Sequence, residues 1–223
     1  MEPWLLPANA EKRLMLKRVP YFMAMAILGL SLGWIVTVPA QPPPGRKADK
    51  KGKDEKGDAT ARFEDRLQRL HRQLAQPEPD PERRRLLTWS GSYVNRAQQM
   101  WRAGQPYIAD RTLAGAEALV HASDHLEHLK DAPGPPPPAE AIAHQLADVY
   151  FRTREADYFL REIHDDSAAP LVLLARQYYQ RAVESYDRSD FRAADEYGKM
   201  AEELVRALES LAQAATMAPQ PRR

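Results

Sequence analysis

Residues 86–126 recur without a gap at 171–211, an offset of 85 positions. Of the 41 aligned positions, 12 are identical: Leu86/Leu171, Tyr93/Tyr178, Arg96/Arg181, Ala97/Ala182, Ala109/Ala194, Asp110/Asp195, Ala116/Ala201, Glu117/Glu202, Leu119/Leu204, Val120/Val205, Ala122/Ala207 and Leu126/Leu211. Trp101/Tyr186 adds an aromatic pair. With one residue of slip, Phe63, Leu67, Leu70 and Leu74 fall over Val149, Thr153, Ala156 and Leu160. Apolar stripes on helices generate matches cheaply. The shared Ala-Glu-x-Leu-Val-x-Ala argues against a match by composition alone. The chain therefore reads as one three-helix unit used twice.

The period inside each copy is helical. Phe63, Leu67, Leu70 and Leu74 are spaced four, three, four, which lays one apolar stripe along a helix from Thr60. Pro77, Pro79 and Pro81 stop it. Asp80-Pro81-Glu82 supplies an N-cap, a first-turn proline and a first-turn acid, so a second helix runs from Pro81 to about Ala103 and ends at Gly104. A third begins at Pro106 and reaches about Lys130. The run Pro133–Pro138 is a stiff break. Beyond it, Ile142, Leu146, Val149, Thr153, Ala156, Leu160 and Ile163 keep a strict four-three alternation, the narrow seam of coiled-coil-like packing. Ser167 can cap a fifth helix with Pro170 in its first turn, reaching about Arg188, and a sixth follows Ser189-Asp190 to about Met217. No segment alternates like a strand. The expected fold is all-α, six helices in two related three-helix units, 60–132 and 139–217, joined by the linker 133–138 and followed by a tail at 218–223.

Each hairpin resembles a tetratricopeptide repeat. Tyr178, Ala182, Ser189, Phe191, Ala194 and Ala201 fall at that family's spacing, as do Tyr93, Ala97, Gly104, Ala109 and Ala116 in the first copy. The first copy departs by placing Pro106 where the aromatic belongs. An extra helix and a proline linker also interrupt the tandem spacing. The resemblance implies a helical solenoid that binds a protein or peptide. A plain helical bundle also puts small residues at close crossings.

The N-terminus reads as an address. Tyr21–Val38 carries no charge, follows Lys12, Arg13, Lys17 and Arg18, and precedes Val38-Pro39-Ala40, a signal-peptidase pattern with cleavage after Ala40. Met15 would by itself open a compact signal peptide. The rival reading is a retained membrane anchor over 21–38, with Tyr21 and Trp34 at the interfaces. Both readings of residues 1–40 export the remainder, to the periplasm or cell envelope. Residues 41–59 are nearly free of apolar side chains and are expected to be a disordered linker. The chain has 32 basic and 31 acidic residues; removing 1–40 leaves 28 against 29, so no field draws nucleic acid. The absence of cysteine excludes disulfides, thiolate metal sites and thiol catalysis.

Two sets of residues are candidates for function. His121, His125 and His128 are spaced four and three, so their imidazoles share one helix face, and imidazole binds zinc, copper or nickel. Asp124 or Glu127 could add an oxygen. The second copy has Arg206, Ser210 and Gln213 there, a solvent face, which favours a plain polar surface. The repeated aromatics Tyr93/Tyr178 and Trp101/Tyr186 read as core. Unrepeated Trp89, Tyr107, Tyr179 and Tyr197 read as partner anchors. His164-Asp165-Asp166 reads as a loop and Arg83-Arg84-Arg85 as a solvated helix face with some capacity for anionic headgroups. No phosphate loop, nucleophile elbow or H-E-x-x-H is present. The expected function is a non-enzymatic protein-interaction or scaffolding module without a cofactor. The alternatives are a metal-binding bundle on the three-His face, and a hydrolase or ribonuclease-like helical protein for which no residue speaks.

Overall fold

The computed structural model describes residues 51–131, 134–163 and 168–218. The leader 1–40 with its apolar span 21–38, residues 41–50 of the expected linker, His164-Asp165-Asp166, Ser167 and the end of the tail lie outside them. Six helices account for the described chain: α1 Lys51–Leu74, α2 Pro81–Arg102, α3 Pro106–Asp131, α4 Ala139–Ile163, α5 Ala169–Asp187 and α6 Phe191–Thr216. Among the described residues there is no strand, and no helix is long and apolar enough to cross a membrane.

Local chemistry sets the helix ends. The Asp80 carboxylate accepts from the backbone N–H groups of Glu82 and Arg83, at 2.9 and 3.2 Å, and Pro81 needs no partner in the first turn. Asp190 caps α6 through the N–H of Ala193, at 3.1 Å. The cap of α5 falls on Ala168, whose side chain offers no acceptor, with Pro170 in the first turn. The bounds of α1 take in residues 51–59 of the expected linker. Low apolar content argues against a buried segment, but a solvated helix needs no core. Asp58–Arg62 and Asp65–Arg69 are ion pairs one turn apart, the local support such a helix uses.

The apolar seams face inward as their spacing requires. On α4, Ile142, Leu146, Val149, Thr153, Ala156 and Ile163 are buried, and Leu160 packs against the core. On α1, Phe63 and Leu70 are buried, and Phe63 stacks on Trp101 with ring centroids 4.1 Å apart. α6 lies at the centre, packed on α3, α4 and α5, and the main core draws on both halves of the chain. A leucine such as Leu204 or Leu208, removed from water here, contributes about 1.5–3 kcal/mol.

The duplication carries into three dimensions. Shifting α3 by 85 positions gives the bounds of α6. Leu86/Leu171, Tyr93/Tyr178, Ala97/Ala182, Ala116/Ala201 and Leu119/Leu204 are buried in both members. Gly104 and Ser189, equivalent by the same shift, both take left-handed backbone, with φ of 74° and 62°. The N–H of Gln105 donates to the Met100 carbonyl and that of Asp190 to the Ser185 carbonyl, at 3.0 and 2.9 Å. One polar pair repeats too. Arg66 of α1 binds Glu117 of α3, and Arg152 of α4 binds Glu202 of α6. The first helices differ in weight: α4 packs broadly on α6, whereas α1 touches α3 lightly.

The two units meet through α3 and α6. Gly115 lies beside Ala207 and Leu211, and His125 beside Glu196, so numbering falls along α6 as it rises along α3. The equivalent helices thus run antiparallel, related by an approximate two-fold. A Cβ at position 115 would sit 3.1 Å from Leu211 Cγ and 3.3 Å from the Ala207 carbonyl oxygen. Gly115→Val is expected to destabilise the protein by about 1–3 kcal/mol through overpacking, measured by urea unfolding. The equivalent turns should respond with opposite sign: Gly104→Ala should cost about 1 kcal/mol, whereas Ser189→Gly should be neutral or stabilising by a few tenths of that.

Candidate functional site

The histidines of α3 do not face solvent as one set; they face buried carboxylates of α6. His125 Nδ1 lies 2.7 Å from Glu196 Oε2, and His128 Nδ1 lies 3.7 Å from the same oxygen. One turn earlier, His121 Nδ1 is 4.0 Å from Glu203 Oε2. Antiparallel packing produces this ladder, since a step back along α3 meets a step forward along α6. Glu196 and Glu203 are both buried. Removing a carboxylate from water is costly unless it finds partners. Glu196 Oε1 has Lys199 Nζ at 3.5 Å, and Glu203 Oε1 accepts from Arg206 at 2.8 Å.

The expected three-histidine face is therefore divided. His125, His128 and Glu196 bring two imidazole nitrogens and one carboxylate oxygen within 4.8 Å of one another. His121 stands outside this set and belongs to Glu203. Sequence reasoning missed both glutamates, which lie 71 and 82 residues from their histidines. One signal was present: position 196 is glutamate where the first copy has Arg111, a charge reversal across from the histidines. His71 engages Gln98 and His144 is exposed on α4, so neither joins the set.

Asp124 and Glu127, considered as extra oxygen ligands, turn instead to Arg83. Its guanidinium pairs with Glu78 at 3.0 Å, Glu127 at 2.9 Å and Asp124 at 3.5 Å. The expectation of a solvated Arg83-Arg84-Arg85 face is corrected for Arg83, which sits in this network; Arg84 is exposed and donates to the carbonyls of Glu78 and Pro79. They tie the α1–α2 connection to the start of α2. An open cleft of about 500 Å³ lies here, lined by Gln73, Pro77, Glu78, Arg83, Asp124 and Glu127. Burial holds the Asp124 carboxyl above the ordinary aspartate range, against the pull of Arg83 and His121.

The aromatic residues sort differently from the expectation. Tyr107 is exposed, with Arg111 over its ring. Trp89, Tyr179 and Tyr197 are half-buried and pack against the core, where Tyr197 stacks on Tyr178 and Arg181 covers both rings. Burial pushes the Tyr179 hydroxyl up to about 12. Among the described residues, the large apolar side chains more than half exposed are Phe151 and Tyr158 on α4, Leu173 on α5 and Met217 just after α6. Tyr150 meets Tyr179, and Asp157 pairs with Arg176, which makes α4 and α5 antiparallel and sets Leu173 level with Tyr158. Phe151, Tyr158 and Leu173 lie on the outward sides of the α4–α5 pair, with the Asp157–Arg176 ion pair joining the two helices.

Set beside known proteins, the chain matches no family model, no curated protein and no solved structure. Its six packed helices are compatible with a helical-repeat protein.

The acidic cleft gives a test by pH. A raised Asp124 pKa means that the folded state holds this proton more tightly than the unfolded chain. The ionised carboxylate therefore weakens the fold, and the penalty is relieved as pH falls through the folded pKa. Asp124→Asn is expected to be at least as stable as the parent at pH 7, its advantage shrinking as urea unfolding is repeated at lower pH. A variant clearly weaker at pH 7 would show that the Arg83 pair outweighs the burial cost.

Proposed function

We propose that this chain is a non-enzymatic interaction module, exported by its N-terminal leader and working in the periplasm or cell envelope, where it holds a protein or peptide. The observation that carries the reading is the exposure of Phe151, Tyr158 and Leu173. Phe151 and Tyr158 stand seven positions apart on the outer face of α4, and Leu173 is exposed on α5. Side chains of this kind, once desolvated by a partner, are the anchors that dominate interface energetics. Charged side chains accompany them: Asp157 binds Arg176, and Arg154 covers the Tyr150 ring. Exposed apolar side chains interspersed with charge suit an amphipathic peptide or helix.

The tetratricopeptide-like hairpins support the same class of function, since both hairpins retain the small residues of that spacing at buried crossings. Their approximate two-fold differs from the running stack of a solenoid. The ligand surface is accordingly sought on the outside of the second unit, with Tyr107 as a lesser anchor on the first.

A photo-cross-linking residue at position 151 or 158, in cells of the native host, is expected to trap the same partner from both positions. The same residue at Arg69, on the exposed face of α1, should not trap it. Absence of an adduct from 151 and 158, or an equal adduct from 69, would remove the reading. Recovery of the intact chain from the cytosolic fraction would remove export.

A further inference from the structure

We propose that His125, His128 and Glu196 form a binding site for one divalent transition-metal ion of the zinc class, joining the two units of the fold. The donor set is right in kind: two imidazole nitrogens and one carboxylate oxygen are the mixed N,O ligands that zinc, nickel and copper accept. The spacing is near what is needed. Glu196 Oε2 lies 2.7 Å from His125 Nδ1 and 3.7 Å from His128 Nδ1, and all three atoms fall within 4.8 Å. Donors around a tetrahedral ion with bonds of about 2.0–2.1 Å lie about 3.3 Å apart. An ion would have to open the 2.7 Å His125–Glu196 contact and draw in His128, whose side chain is 56% exposed; both are side-chain adjustments.

Two further observations favour an ion over a simple pair. A hydrogen bond between His125 and Glu196 needs no second imidazole, yet His128 approaches the same oxygen from the next turn. The scaffold itself does not require these residues. At the place related by the two-fold, the α3–α6 interface carries Ser210, Gln213 and Arg111. The Glu196 carboxylate is buried on α6, and His128 opens to solvent on α3, so an ion can enter from outside and meet a fixed anionic donor. The fourth position faces solvent through that opening.

Lys199 acts against the ion. Its ammonium lies 3.5 Å from Glu196 Oε1, the oxygen that the imidazoles do not approach, and 2.8 Å from Asp195 Oδ2. The two oxygens of Glu196 thus divide between a cation already present and the proposed one. Asp195 can hold Lys199 alone, which releases Oε1 as a second oxygen for the metal.

The test uses the full chain, stripped with chelator and titrated with zinc chloride by calorimetry, with metal content measured after gel filtration. One equivalent of zinc is expected, with a rise in Tm as zinc is added. Glu196→Gln and His128→Ala should each weaken binding by about tenfold or more, Lys199→Met should tighten it by several-fold, and His121→Ala should stay within about twofold. His128→Ala alters a half-exposed side chain, so its fold is retained and its loss of zinc is informative even if Glu196→Gln unfolds. Two results would overturn the site. One is no stoichiometric zinc on the parent protein. The other is a His121→Ala loss equal to that of His128→Ala, which would move binding to the three-histidine face of α3.

Discussion

The close antiparallel approach of α3 and α6 is the contact on which the other elements depend. Gly115 of α3 lies against Leu211 and the Ala207 carbonyl of α6, while Ala116 meets Ser90 of α2 from another side of α3. Without a Cβ at 115, Leu211 can lie directly on the α3 backbone. The same approach brings α3 histidines to α6 carboxylates. It also spreads the core over both halves, so neither unit buries its apolar stripe independently.

An approximate two-fold has a consequence that a repeated step does not. Units stacked by a repeated step leave both ends open and build a continuous concave face. Two units facing each other through their equivalent helices close on themselves, and the shared surface is consumed in the core. What remains for contact is the outside of the flanking helices. On α4 the outward positions carry Phe151 and Tyr158, while on α1 the exposed side chains include Arg62, Asp65 and Arg69, which form local ion pairs. The two units have kept one architecture and diverged in what they show to solvent.

Much of this was legible in the sequence because it rests on local rules. Periods of four and three placed the seams, Asp80 and Asp190 marked helix starts, and the 85-residue offset foretold that Gly104 and Ser189 would form equivalent turns. The exposure of Phe151 and Tyr158 could also have been read. Each follows a seam residue, Val149 or Ala156, by two positions, which on a helix points well away from the seam. Setting repeated against unrepeated aromatics did not separate exposed from covered side chains: Tyr107 is exposed, whereas Tyr197, at the place of buried Thr112, packs against the core. Glu196 and Glu203 were not legible, since their meaning comes from a helix pairing that no local window contains.

Those two glutamates raise the question of why the molecule keeps charge inside a core that small apolar residues could fill. Replacing a buried ion pair with apolar side chains is often neutral or stabilising. The other side of this interface, built with Ser210, Gln213 and Arg111, has no histidine–carboxylate ladder, so packing does not compel one. Nor does balance of charge, because Lys199 and Arg206 already supply a cation to each glutamate from its own helix. His125 makes the short contact to Glu196 at 2.7 Å, so of the two imidazoles at that oxygen His128 is the one beyond what the carboxylate needs. A further partner for an acid that is already paired is the arrangement expected where the surplus donor serves something that arrives from outside.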